Sequence, residues 1–173
     1  MDIFELRAVH IVMGMVVILS GITAFLVKKG SRKHKLAGQC FVGSQVLMGI
    51  VVLAQAYFTP NKISSLGILF MCLIVYLVLS AWLTIHRPSV NRVSSLEVVM
   101  PFVALFIATA GLVMGFEVLH QPITAKDLPP TEAYFFFSAI AFIAMLLDVR
   151  HLNKRGLQGK QRIVRHVWRM SFA

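Results

Sequence analysis

The stretch Leu66-Gly67-Ile68-Leu69-Phe70-Met71-Cys72-Leu73-Ile74-Val75-Tyr76-Leu77-Val78-Leu79-Ser80-Ala81-Trp82-Leu83-Thr84-Ile85 holds twenty residues without one charge, and His86-Arg87-Pro88 ends it. A bilayer core of about 30 Å is crossed by about 20 apolar residues in helical form, so this block predicts a membrane span. Four more blocks flank it. Ala8 to Val27 closes on Lys28 and Lys29, and Leu36 to Phe58 closes on the turn signal Thr59-Pro60-Asn61. Leu96 to Phe116 carries Pro101 early enough to be tolerated near a helix start. Glu132 to Leu147 is shorter, and thinning or tilt would accommodate it. Lipid offers no partner to a free backbone N–H or C=O, so the fold class follows: all-α, a polytopic transmembrane helical bundle of five spans within one domain covering residues 1–173.

Composition agrees. Over the 173 residues, 58% are hydrophobic and only 14% charged, well below the charge of a soluble domain. Mean hydropathy is +0.79. Seventeen Lys and Arg stand against seven Asp and Glu, a formal net charge of +10. The basic residues sit between the apolar blocks with no aromatic platform beside them, which argues against nucleic acid and for the positive-inside effect.

Their distribution sets the orientation. Lys28, Lys29, Arg32, Lys33 and Lys35 lie between spans one and two, and Arg87 and Arg92 between three and four. Arg150, Lys154, Arg155, Lys160, Arg162, Arg165 and Arg169 follow span five in a basic segment, 148–173. Those places hold 14 of the 17; the alternate segments hold Arg7, Lys62 and Lys126 with Asp2, Glu5, Glu117, Asp127 and Glu132. The expected topology is N-terminus outside, C-terminus cytoplasmic, in a bacterial inner membrane, with anionic lipid headgroups as partners of the inner basic segments. Tyr57, Phe58 and Tyr134 to Phe137 then fall at the outer boundary, and Trp82 and Trp168 at the inner one. The N-terminus lacks the positive region and cleavage site of a secretory signal, so the first block reads as a retained span. Arg165-His166-Val167-Trp168-Arg169-Met170 reads as the approach to another apolar helix. A sixth span lost to truncation is expected there, with an interfacial amphipathic helix as the alternative.

Ionisable groups beside spans are the candidates for chemistry, because charge in hydrocarbon is costly. His10, Glu117 and His120 belong to the outer side; His34, His86, Glu97, Asp148, His151 and His166 belong to the inner. Glu117 and His120 have the Glu-x-x-His spacing of carboxylate-bridged metal sites but lack a second such pair, so capping the end of span four is the plainer reading. His10 and His34 are 24 positions apart, about 36 Å of helix, and cannot share one haem iron. His34 and His166 share the inner level, which leaves a haem- or quinone-binding oxidoreductase as the alternative to a small transporter or accessory subunit. Asp148 ends span five and is placed to pair with Arg150, Arg165 or Arg169, holding the basic tail to the bundle; a proton relay is the sharper reading. Cys40 and Cys72 lie in apolar segments without clustered spacing and read as small hydrophobes. Gly111 and Gly115 form a GxxxG, and Gly14 and Gly21 share a stripe of span one, which favours close helix packing and admits a homo-oligomer.

Three stretches carry a family likeness: Lys29 to Gly38, Tyr76 to Pro88, and Arg162 to Met170. With His10 ahead of Gly14, they resemble bacterial multi-span proteins labelled domain of unknown function 2306. The resemblance implies a membrane location without an assigned activity. It directs attention to His10, His34, Trp82, Arg87, Asp148, His166 and Arg169.

Overall fold

The computed structural model describes residues 3–59, 64–87, 93–121 and 130–173, with side chains from residue 8 onward. Pro60, Asn61, Lys62, Pro88, Arg92, Lys126, Asp127 and Asp2, and the side chains of Glu5 and Arg7, lie outside the described residues. The described residues form six helices and no strand: α1 (Ile3–Leu26), α2 (Arg32–Phe58), α3 (Ser65–Ile85), α4 (Ser95–Leu119), α5 (Thr131–Asn153) and α6 (Gly159–Phe172). The first five are long and apolar enough to cross a membrane. The chain is a multi-pass membrane protein of helical class.

It divides into two compact units, Met1–Ile63 and Ser64–Ala173. In the first, α1 packs along α2, and its glycines make room: Gly14 faces Met48, and Gly21 faces the Phe41 ring. Ser31 caps α2 by accepting from the His34 backbone N–H at 3.2 Å. Lys29 Nζ donates to the Ala24 and Phe25 carbonyls at 2.9 and 2.5 Å, satisfying acceptors that the end of α1 leaves open.

In the second unit α3, α4 and α5 enclose a core of Leu69, Leu73, Tyr76, Leu77, Ala104, Ile107, Ala108, Tyr134, Ala141 and Ala144. The GxxxG of α4 serves this core. A Cβ on Gly111 would run into Ser138 Oγ and lie 2.9 Å from Leu69 Cδ2, and one on Gly115 would lie 3.0 Å from the Phe135 ring. Small residues here let α4 and α5 approach where water supplies no drive. Ser65 Oγ and Tyr134 Oη, 2.6 Å apart, tie the start of α3 to the start of α5.

Two boundaries depart from the sequence reading. The fifth helix is not short: it runs 23 residues to Asn153, because Asp148 and His151 are paired inside the protein and so do not end the apolar element. The basic tail is itself partly helical, as α6 packs along α3. The helix α4 runs uninterrupted through Pro101, as its early position allows.

Candidate functional site

Helix α3 carries Tyr76, Ser80 and Thr84 at four-residue spacing, one polar stripe on an otherwise apolar helix. Helix α5 carries Asp148 one turn after Ala144, and α6 carries Arg162, Arg165 and Arg169 on one face. These three stripes meet. Asp148 Oδ1 accepts from Arg165 Nη2 at 2.7 Å and from Arg169 Nη2 at 2.6 Å, and Asp148 Oδ2 accepts from the Tyr76 hydroxyl at 2.5 Å. All four side chains are buried.

One carboxylate facing two guanidinium groups leaves one positive charge in excess. Backbone carbonyls take it up. Arg165 Nη1 donates to the Ser80 carbonyl at 3.2 Å and to Thr84 Oγ1. Arg169 Nη1 donates to Ser80 Oγ, and its Nη2 donates to the Ala144 carbonyl at 3.1 Å. Farther out, Arg162 donates from Nε to the Thr84 carbonyl at 2.9 Å and from Nη2 to the Ile85 carbonyl at 2.7 Å. The end of α3 is where a helix presents unpaired carbonyls and partial negative charge, so cations belong there. Arg169 also lies over the Tyr76 and Trp168 rings, 5.5 and 5.3 Å from their centroids. The Nε–H groups of Arg165 and Arg169 are buried without an acceptor.

A second buried cluster joins the ends of α4 and α5. Ser94 and Glu97 form a capping box at the start of α4: Ser94 Oγ accepts from the Glu97 backbone N–H, and the Ser94 backbone N–H donates to Glu97 Oε2 at 2.9 Å. The other oxygen, Oε1, lies 2.9 Å from His151 Nε2 and 3.4 Å from Arg87 Nε. His151 Nδ1 accepts the Leu157 backbone N–H at 3.1 Å, so the ring proton sits on Nε2, which donates to Glu97. Arg87 donates from Nη2 to the Arg155 carbonyl at 3.2 Å. Its guanidinium occupies the space where Gly156 would carry a Cβ, and Gly156 has φ +98°, so two independent reasons require glycine there.

The candidates from sequence fall into place unequally. Asp148 is brought together with Arg165 and Arg169, as two of its three expected partners, while Arg150 is exposed and Arg87 joins Glu97 instead. Trp82 stacks on His86 with ring centroids 3.7 Å apart. His166 directs Nδ1 at the Ala81 carbonyl, 3.3 Å away, and His34 directs Nδ1 at the Ala24 carbonyl, 2.9 Å away. His10 is exposed near the opposite end of α1. Glu117 and His120 are exposed, with His120 Nδ1 2.7 Å from the Phe116 carbonyl, the capping geometry. Among the described residues, no group of three or more His, Cys, Asp or Glu side chains is placed to hold a metal ion.

Sequence reasoning had Arg165 among the expected partners of Asp148, and Glu97 and His151 among the inner ionisable groups, but it did not join Glu97 to His151 and it passed over Tyr76, Ser80 and Thr84 as members of a site. The four-residue polar stripe on α3 and the Ser94-to-Glu97 capping-box spacing were the signals that could have found most of them.

Compared with known proteins, the chain matches no family model, no curated protein and no solved structure. The likeness to the domain of unknown function 2306 proteins therefore rests on its three sequence stretches alone.

Proposed function

We propose that this chain is a non-enzymatic protein of the bacterial inner membrane, with its N-terminus outside and its C-terminus cytoplasmic, serving as an accessory membrane subunit. Membership of the domain of unknown function 2306 group belongs to the same proposal. One observation carries it: the buried charges of the second unit are spent on joining helices to one another. Asp148 ties α5 to α3 and α6, and Glu97 ties α4 to α5 and to Arg87 just beyond α3. Such pairing gives a fixed scaffold. The transporter version has less support, since transport favours midplane polar groups around broken helices, and Tyr76 and Ser80 are engaged within the network.

The inner basic segments are read as holders of anionic headgroups, with Lys28, Lys29, Arg32, Lys33 and Lys35 as the densest cluster. A homo-oligomer is compatible with the accessory role.

Extraction in mild detergent followed by native gel electrophoresis tests the subunit role. The chain is expected to migrate in a complex of defined composition. A lone chain that drives solute uptake when reconstituted into vesicles would overturn the subunit reading in favour of transport.

The alternative reading is a haem- or quinone-binding oxidoreductase that uses inner-face histidines, with His34 of the first unit and His166 of the second each tested by itself. An absorption spectrum of purified protein decides it. A Soret band lost in His34→Ala or His166→Ala establishes that reading, and a colourless preparation removes its haem version.

A further inference from the structure

Helix α6 is amphipathic, but inside out for a helix lying on a membrane surface. A surface helix buries its apolar face and offers its cations to water. Here Arg165 and Arg169 are buried against α3 and α5, while Ile163, Val164, Val167 and Phe172 are exposed. The order of contacts fixes how α6 runs. Arg162 meets Thr84 and Ile85, Arg165 meets Ser80 and Thr84, His166 meets Ala81, and Arg169 meets Ser80 and the Tyr76 ring. From start to end, α6 therefore travels back along α3, away from Ile85 and toward the middle of that span. Ile85 and Tyr76 are nine positions apart, about 13 Å of helix.

A helix docked on that length of a membrane span shares its depth. We propose that α6 is membrane-embedded, folded back along α3, and that its outward face of Ile163, Val164, Val167 and Phe172 is a contact surface for the acyl chains of the leaflet nearest Ile85. The occupant follows from continuity. At the same level α5 exposes Phe142, Ile143, Leu146 and Val149, so the apolar surface runs on from a span to α6. The arginines that enter with α6 turn inward, where Asp148 and the carbonyls of α3 and α5 receive them, and none of the three is asked to face hydrocarbon. The inference rests on α3 crossing the bilayer, a reading that the experiment checks separately.

The test uses single-tryptophan chains in vesicles of lipids brominated either high or low on the acyl chain. Ile163→Trp and Phe172→Trp are each placed in the Trp82→Phe, Trp168→Phe background; the Trp168→Phe chain retains Trp82 as a marker of α3. The ratio of deep to shallow quenching is expected to rise from position 163 to position 172, with neither quenched by aqueous iodide. An equal ratio at the two positions means a helix lying flat at the interface and overturns the proposal. Iodide quenching at 172 overturns it too, as does protection from every quencher, which means that a second copy or another protein covers the face. If Trp82 itself escapes the brominated lipids, the span assignment of α3 fails rather than the placement of α6 on it. Where an introduced tryptophan prevents folding, the Trp82→Phe chain with native Trp168 gives the same reading: chain-brominated lipid quenches it and iodide does not, and the reverse overturns the proposal.

Discussion

At Asp148 a single carboxylate accepts hydrogen bonds from two arginines and a tyrosine drawn from two other helices. Removing its charge while keeping its shape isolates what it does. Asp148→Asn leaves two guanidinium groups buried without a counter-ion, and breaking one side of a buried pair costs about 3–5 kcal/mol. Thermal unfolding in detergent is expected to shift down by a matching amount. Because desolvating ions is itself costly, Asp148→Leu combined with Arg165→Leu and Arg169→Met is expected to recover much of the loss. A midpoint unchanged in Asp148→Asn would mean that the network does not hold α6. Residues of this type were partly legible in the sequence. Asp148, Arg87 and Arg169 are conspicuous beside apolar runs, whereas the partner of Asp148 on α3, Tyr76, lies 72 positions away and looks like an ordinary residue of a span. Glu97 and His151 were visible as inner ionisable groups, but their pairing was not, for a related reason: 54 positions separate two groups that share one hydrogen bond.

Among the elements, glycine placement gives the sharpest contrast. Gly111→Ala puts a methyl group against Ser138 and Leu69 at the α4–α5 contact, and overpacking of this kind costs about 1–3 kcal/mol. Adding Ser138→Ala removes the nearer obstacle and is expected to return part of that stability. Gly38→Ala in α2 has nothing within 4 Å of the new methyl, so it is expected to stabilise by up to about 1 kcal/mol through helix propensity alone. Circular dichroism melts of the three chains check both signs, and a Gly111→Ala chain as stable as the parent would dismiss the close α4–α5 approach. Four of the helices end within a few residues of where hydrophobic length alone puts them. The fifth does not, because hydropathy treats Asp148 as a stop, while in the folded chain its charge is already neutralised. The same blindness applies to α6, whose arginines make it read as the approach to a further span, or as a helix lying at the interface, until their partners are known.

For the whole molecule, the span count was the most legible property, since five apolar blocks register in any window long enough to cross a bilayer. Which side each connection occupies is a separate matter, resting on the 14 basic residues at alternate connections. Reporter fusions test it. A fluorescent protein joined after Lys154, in the basic connection that follows α5, is expected to mature and fluoresce, and alkaline phosphatase is expected to be active after Thr59 and inactive after Gly30. Activity after Gly30 would reverse the topology. The packing between helices was not legible from composition, because lipid-facing and protein-facing residues are equally apolar; only polar stripes and glycines distinguish the two, and they do so residue by residue.

The arginine face of α6 also imposes an order in time. Its cations are received by groups on α3 and α5 that do not stand together until both helices have been made and have paired. Until then α6 is a cationic segment with a greasy back, the kind of sequence that membrane quality control degrades. Docking of α6 therefore has to follow the pairing of α3 with α5, since Asp148 and the α3 groups receive its arginines together. In a pulse-chase experiment the Asp148→Asn chain is accordingly expected to be made at the normal rate and lost early, whereas a lifetime equal to that of the parent would separate the survival of the chain from the docking of α6.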